Sequence, residues 1–285
     1  MTSPPSAPSA SVILSAYDNM AALVRSLVGY EAQTRADFEI IIADDGTPPD
    51  RQPPLEDYLA SSNLDVRHLW HEDTGFRKSR ALNRGISVAR APYLIFSDAD
   101  IIPRNNFVEM HLSLAKPGFF IAGGSHLDLP GEVAKALTRT EILSNECFHP
   151  DWLRARGALT PKLKDRLQTP GWLIPVKNRL TNRRNAFNGS NASVWREDAV
   201  GVNGFDEEWG YGGMDREFGC RLTNAGVRSR RYRYSLIGLH QGHSRPYRDP
   251  ETVAANRLLL RERCRSSLVR VEKGLSSHLP ENDLQ

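Results

Sequence analysis

The run Tyr93-Leu-Ile-Phe-Ser-Asp98-Ala99-Asp100 is an apolar, β-type stretch that ends on two carboxylates one residue apart. Residues i and i+2 of an extended chain point to the same side, so at a strand end Asp98 and Asp100 would aim into one small volume. Two like charges that close either push one pKa up or hold a cation, and a bound Mn²⁺ or Mg²⁺ keeps both ionised while reaching phosphate oxygens. The alternative is a plain turn, since Asp is a common turn former. A second acidic pair, Asp44-Asp45, closes the apolar run Phe38-Glu-Ile-Ile-Ile-Ala43. Farther on, Trp209-Gly-Tyr-Gly-Gly-Met214-Asp215 sets glycines before a carboxylate, the pattern of a close-approach loop feeding a helix.

These groups need elements to position them. Ser11 to Ala16 reads as a short buried strand, and Tyr17-Asp18-Asn19 opens an amphipathic helix to about Tyr30. The Phe38 strand follows, then a strand near Val66 to Trp70, a helix from about Lys78 to Arg90, and the Tyr93 strand. Such alternation builds a parallel sheet with right-handed crossovers. Ligands of these sheets sit at the carboxyl ends of the strands, where Asp44, Asp45, Asp98 and Asp100 fall. A helix from about Asn106 and the run Phe119 to Gly123 continue the pattern, which breaks over residues 125–186. That block has weak periodicity, the aromatics Phe148, Trp152 and Trp172, and a cluster of positive charge: Arg154, Arg156, Lys162, Lys164, Arg166, Lys177, Arg179, Arg183 and Arg184. It reads as an insertion or mobile region. Beyond it, Asp215 to Ala225 reads as a helix, Tyr232 to Leu239 as a strand, and Pro250 to Leu275 as a basic helix.

With 285 residues, 40% hydrophobic and 25% charged, the composition is that of a soluble globular chain. A net charge of +3 is too small to imply a nucleic-acid partner. The basic block and tail instead suggest peripheral contact with an anionic membrane surface, or a solvated surface loop. Cys147, Cys220 and Cys264 are an odd, widely spaced set without a CxxC, which fits a reducing compartment better than a disulfide framework. No stretch of about 18 apolar residues and no signal-peptide pattern is present, and residues 1–10 form a Ser/Pro/Ala-rich, disordered leader. The expected location is cytoplasmic, or the cytoplasmic face of a membrane.

Taken in order, these segments resemble the family 2 glycosyltransferases of the nucleotide-binding GT-A fold, and the C-terminal half resembles the galactosyltransferase-type segment of chondroitin polymerases and bacterial polysaccharide enzymes. The resemblance covers Ser11 to Asn105 and Phe187 to about Arg245. It implies an α/β, Rossmann-like, mostly parallel sheet flanked by helices, in one domain with an inserted helical or loop region. Residues 11–105 would be the nucleotide-sugar-binding half, 106–245 the acceptor and catalytic half with the insertion, and 246–285 a basic helix and tail. The implied activity is inverting transfer of a sugar from a nucleoside diphosphate sugar, UDP first, to a hydroxyl of a glycan or lipid-linked glycan. The alternative is a catalytically inactive glycan-binding or scaffold protein, suggested by Met214 where the family has Glu.

The same resemblance assigns residues. Ala16 and Tyr17 would wall the nucleobase pocket, with Asp44 or Asp45 accepting the uracil N3–H unless the pair is an Asx turn. Arg77 and Lys78 would lie beside the diphosphate. Asp98-Ala99-Asp100 would be the Asp-x-Asp motif, contacting donor and metal, and a late histidine would be the third ligand of Mn²⁺ or Mg²⁺: His240 by preference, His243 as second choice. Trp209, Gly212, Gly213 and Met214 would cradle the sugars, and Asp215 would be the general base. Glu217, two residues beyond Asp215, would compensate for Met214, while Asn191 and Trp195 either shape the cleft or belong to a core strand.

Overall fold

The computed structural model describes residues 7–124, 126–182, 187–242 and 250–280. Its first part follows the expected alternation: β1 (Ala10–Ala16), α1 (Met20–Glu31), β2 (Phe38–Asp44), α2 (Pro53–Leu59), β3 (Val66–Leu69), α3 (Lys78–Val88) and β4 (Tyr93–Asp98). Then come β5 (Ile101–Pro103), α4 (Phe107–Leu114), β6 (Phe119–Ala122) and β7 (Leu127–Leu129). A mainly helical segment follows: α5 (Gly131–Lys135), α6 (Arg139–Leu143), α7 (Pro150–Ala155), α8 (Pro161–Leu167) and α9 (Ile174–Leu180). The chain closes with β8 (Asn191–Trp195), α10 (Arg196–Gly201), α11 (Met214–Asn224), β9 (Arg228–Arg231), β10 (Gly238–Gln241) and α12 (Pro250–Arg263).

Seven strands form one sheet in the order β3-β2-β1-β4-β8-β6-β9, and β5-β10-β7 form a second, small one. The β3-β2-β1-β4 half is parallel throughout, whereas β8 runs antiparallel to both β4 and β6. Both faces of the main sheet are covered, so β1, β2 and β4 read as continuous apolar runs rather than alternating ones. The period of two decides which side chain goes where. Val12, Leu14, Ile40, Ile42 and Ile95 pack with Leu23, Leu27, Tyr30, Leu55 and Phe107 on one face. Ile13, Ile41, Leu94 and Phe96 pack with Leu82, Ile86, Phe218 and Leu222 on the other.

The insertion is more ordered than its weak periodicity suggests. Leu127, Leu129, Ile142, Phe148, Trp152, Leu153 and Leu163 bury one another in a third apolar cluster together with Ile102, Ile237 and Leu239. Its helices are too short to show a 3.6-residue pattern, and their apolar side chains pack across turns instead. Trp172 alone of the three aromatics stays outside, 78% exposed.

Two further expectations are corrected. The basic helix ends at Arg263, not near Leu275; the chain then turns back, buries Val271 and packs Leu275, which is fully buried, against α3. The strand expected from Tyr232 shrinks to Gly238–Gln241, because Tyr232 to Leu236 is a turn closed by backbone bonds to the Tyr232 carbonyl. The returning tail also overturns the cysteine reading. Cys220 on α11 and Cys264 just after α12 form a disulfide with Cα atoms 5.2 Å apart, and Cys147 remains buried and unbridged. Sequence spacing of 44 residues hid a pair that tertiary packing brings together. Among the described residues, no helix is long and apolar enough to cross a membrane.

Candidate active site

The carboxyl ends of β1 and β4 open onto a cleft of about 840 Å³, a volume in the range of small-molecule sites. Register explains its floor. Ser15 pairs with Asp98 across β1 and β4, and Ala16 pairs with Asp44 across β1 and β2. The Ala99 amide then donates to the Ser15 carbonyl and the Asp45 amide to the Ala16 carbonyl, so each chain turns out of the sheet just where its aspartate stands. Ala16, Tyr17, Asp45, Lys78, Asp98, Ala99, Asp100, Gly212, Gly213, Met214 and Asp215 all line this cleft.

Lys78 is the cation at its centre. Its Nζ donates to Asp98 Oδ1 at 2.7 Å, and Ser15 Oγ donates to the same oxygen at 2.6 Å. Burial alone would lower the Lys78 pKa, but the charges of Asp98, Asp215 and Asp100 outweigh it and hold the ammonium above its usual range. Asp100 faces another partner. The Gln241 amide donates to the Asp100 carbonyl, which sets β10 beside the Asp-x-Asp turn and brings His240 Nε2 within 3.3 Å of Asp100 Oδ2. His240 Nδ1 lies 2.9 Å from Asp128 Oδ1, so both ring nitrogens of this imidazole face carboxylates. With Nδ1–H donating to Asp128, the Nε2 lone pair faces the Asp100 side, where a cation could be held. Asp98, Asp100 and His240 nevertheless do not close into one cluster: among the described residues, no three His, Cys, Asp or Glu side chains are grouped to hold a metal. His243 lies outside the described residues.

Across the cleft, the glycine loop works through backbone geometry. Gly212 and Gly213 both have positive φ, 96° and 94°, so the turn into α11 is one that side chains with a Cβ rarely adopt. It delivers Asp215 to the first turn of α11, where the helix N-terminus favours the ionised carboxylate. Burial works in the opposite direction and is the stronger: it raises the Asp215 pKa, and the nearby Lys78 only partly offsets it. Asp215 Oδ1 is buried without a hydrogen-bond donor, on a residue that lines the cleft. Gly189 sits against it, since a Cβ there would stand 2.7 Å from Oδ1.

Several assigned residues stand elsewhere. Asp44 is fully buried and turned away from the cleft; its Oδ1 accepts from the Thr47 amide and hydroxyl, and its Oδ2 meets His68 Nε2 at 2.9 Å. Asp44 therefore closes a local turn through Thr47 instead of lining the cleft, and Asp45 is the one that faces it. Arg77 contributes its backbone amide to Asp45 Oδ2 at 2.9 Å, while its guanidinium folds back onto the Glu72 carbonyl rather than into the cleft. Trp209 is buried, donating from Nε1 to the Gly212 carbonyl at 3.0 Å, so it props the loop from behind. Trp195 packs on Tyr93 at the amino end of β4, away from the site, and Asn191 Nδ2 donates to the Leu236 carbonyl. Glu217 is locked in a buried pair with Arg221 at 2.7 Å, whose guanidinium also caps the Val202 and Gly204 carbonyls; it does not replace a carboxylate at Met214.

Asp73, Phe76, His126, Asn188 and Tyr211 line the cleft without having been assigned to it. Phe76 and Tyr211 meet edge-on at 5.5 Å, and Asp73 accepts from the Tyr17 hydroxyl at 3.0 Å. Tyr211 belongs to the Trp209 to Asp215 motif quoted above, and Phe76 directly precedes Arg77 and Lys78, a signal that went unused. His126 carries no local motif; only the packing of its ring on His240, 4.8 Å between centroids, places it.

Comparison with known proteins places most of the chain in known families. Residues 11–161 match the glycosyl transferase family 2 model, and residues 176–243 match the model described as the N-terminal domain of galactosyltransferase. A validoxylamine A glucosyltransferase of Streptomyces hygroscopicus subsp. jinggangensis is 29% identical over 77% of this chain and 52% of its own length. The hyaluronan synthase of Pasteurella multocida is 28% identical over 76% of this chain but only 23% of its own. The chain thus spans about half or less of these curated relatives. A mannosyltransferase from Pyrobaculum calidifontis, solved in complex with GDP-Man and Mn²⁺, superposes with a TM-score of 0.57 at 14% identity, covering 85% of this chain and 59% of that one. At that identity the likeness speaks for the fold, a GT-A-type α/β sheet. Fold, cleft and family model converge, and the chain belongs to glycosyl transferase family 2.

Proposed function

We propose that this protein transfers a sugar with inversion from a nucleoside diphosphate sugar, UDP-linked first of all, to a hydroxyl group of a glycan or lipid-linked glycan. The observation that carries the reading is the placement of Asp215 across one cleft from the Lys78–Asp98 pair. A raised pKa makes Asp215 a better proton acceptor than an ordinary carboxylate at neutral pH. In the proposed step the acceptor oxygen forms its bond to the anomeric carbon while the bond to the diphosphate oxygen breaks. The electron pair leaves with the diphosphate, and the hydroxyl proton passes to Asp215. Lys78 would supply the cation that the developing negative charge needs. Asp45, beside Tyr17 and Ala16, would accept an imino N–H of the base.

The donor set fits a divalent ion in part. Asp100 and His240 already face each other and Asp98 is on the same wall, so these three would hold it, with Mn²⁺ favoured over Mg²⁺ by the imidazole. When bound, such an ion supplies charge stabilisation to the diphosphate leaving group. Peripheral contact of the basic surface with anionic lipid, at the cytoplasmic face, is a further part of the proposal; Trp172 and Leu180, 78% and 75% exposed, support it.

The test is a donor screen: hydrolysis of UDP-, GDP- and dTDP-sugars by the full chain with Mn²⁺, wild type against Asp98→Asn. Cleavage of a UDP-sugar that fails in the variant is expected. Absence of cleavage and of binding for every donor would overturn the reading.

A further inference from the structure

Beside the cleft, on the side of Asn188 and His126, four cations gather around two carboxylates, Asp165 and Asp128, that are shared with other partners. Arg231 ends β9 and Arg233 follows two residues on, so both lean to the same side and converge over Gly124. A Cβ built on that glycine would stand 3.4 Å from each of their Nε atoms. Gly124 itself has φ 103° and its carbonyl accepts from Asn188 Nδ2 at 2.7 Å, which ties the spot to the wall of the cleft. Beneath them lies Arg166, 5% exposed, and Lys162 reaches in to the His126 carbonyl.

The charges are not balanced locally. Among the described residues no ion pair reaches Arg231, Arg233 or Lys162. The carboxylate nearest Arg166 is Asp165, 3.9 Å from its Nε, and its oxygens are taken by Lys177 Nζ and the Tyr234 hydroxyl, each at 2.6 Å. Asp128, the other acid nearby, is engaged with His240. Arg166 Nε and Arg233 Nε are buried without an acceptor, as is His126 Nδ1. All three residues line one small cavity, together with Gly124, Ser190 and Asn191, with room for about one oxygen-sized guest. Bringing guanidinium groups together in a partly buried place costs repulsion and desolvation, which an anion there would offset.

We infer that Lys162, Arg166, Arg231 and Arg233 form a subsite for an anionic group of the acceptor, a sugar carboxylate or a phosphate, which seats one oxygen among the buried Nε atoms. The site lies on the Asp215 side of the cleft, through Gly189 and Asn188, which suits a group carried by the acceptor. The subsite narrows the acceptor class of the proposed transferase and rests on that reading for its role, but not for its binding chemistry.

The test measures binding by saturation-transfer NMR on the full chain, with D-glucuronate and glycerol 3-phosphate as probes and methyl glucoside as the neutral control. One or both anionic probes should bind at least tenfold tighter than the neutral one. Arg231→Gln and Arg233→Gln should abolish that difference, with Arg233→Lys retaining part of it and thermal melting reporting any loss of fold. Preference between the two probes separates a carboxylate from a phosphate source. Equal binding of charged and neutral probes, or unchanged preference in folded Arg231→Gln and Arg233→Gln, refutes the subsite and leaves the cavity to a water molecule. Nucleoside diphosphate affinity is measured in the same samples. If wild type binds no nucleotide yet discriminates the anions, the transferase reading fails while the subsite stands.

Discussion

Gly189→Ala isolates the placement of Asp215 from its chemistry. The added Cβ would stand 2.7 Å from Asp215 Oδ1, and ordinary contact begins at 3.4 Å, so the carboxylate must retreat by the difference, about 0.7 Å. Positioning errors of roughly 1 Å cost about 10²-fold in rate. Transfer by Gly189→Ala should therefore fall by about 10- to 100-fold. Asp215→Asn, which keeps shape and removes the proton acceptor, should fall by about 10²-fold or more. Neither residue belongs to the nucleobase end of the cleft, so donor affinity should stay within about twofold in both, an expectation from their separation in the site. The assay pairs initial transfer rates with calorimetric titration of the nucleoside diphosphate. A Gly189→Ala enzyme that transfers at the wild-type rate would show that Asp215 Oδ1 is not where the acceptor proton goes, and full transfer by Asp215→Asn would remove that residue from the mechanism.

The Asp45 carboxyl is pushed up to about 6, by burial first, and its ionised form is the stronger acceptor for an N–H from a base. Donor affinity should accordingly be level above that pH and weaken by up to about tenfold per pH unit below it. Asp45→Asn should flatten the profile, and a flat wild-type profile would exclude the contact. His240→Ala should weaken Mn²⁺ binding, read by electron paramagnetic resonance, and Asp128→Asn should weaken it by about tenfold or more through the imidazole it holds; no change in either places the ion elsewhere. The Cys220–Cys264 bridge closes a 44-residue separation, so Cys220→Ser, or reductant added to wild type, should cost about 2–4 kcal/mol in urea unfolding. Identical midpoints with and without reductant would mean that the bridge contributes nothing.

Much of the frame was legible in the sequence because it depends on short-range pattern. Continuous apolar runs that stop on polar residues gave strands within a residue or two of β1, β2 and β4, and the Gly212-Gly213 pair announced a loop only glycine can make. The resemblance to family 2 transferases rested on motif order, which survives even where single motifs are weak. Tertiary structure decided which neighbour in each motif does the work. Asp44 and Asp45 are adjacent, yet the strand's alternation sends one to Thr47 and His68 and leaves the other in the cleft. Arg77 and Lys78 divide in the same way at the start of α3, where the arginine returns to Glu72 and the lysine reaches Asp98. His126, the disulfide and the returning tail had no local signal at all, and the basic cluster that holds Lys162 and Arg166 gave no sign that these two meet Arg231 and Arg233 around Gly124. Periodicity records how a side chain is oriented on its own element, whereas these features depend on which distant elements pack together, and that follows from burying the whole chain at once.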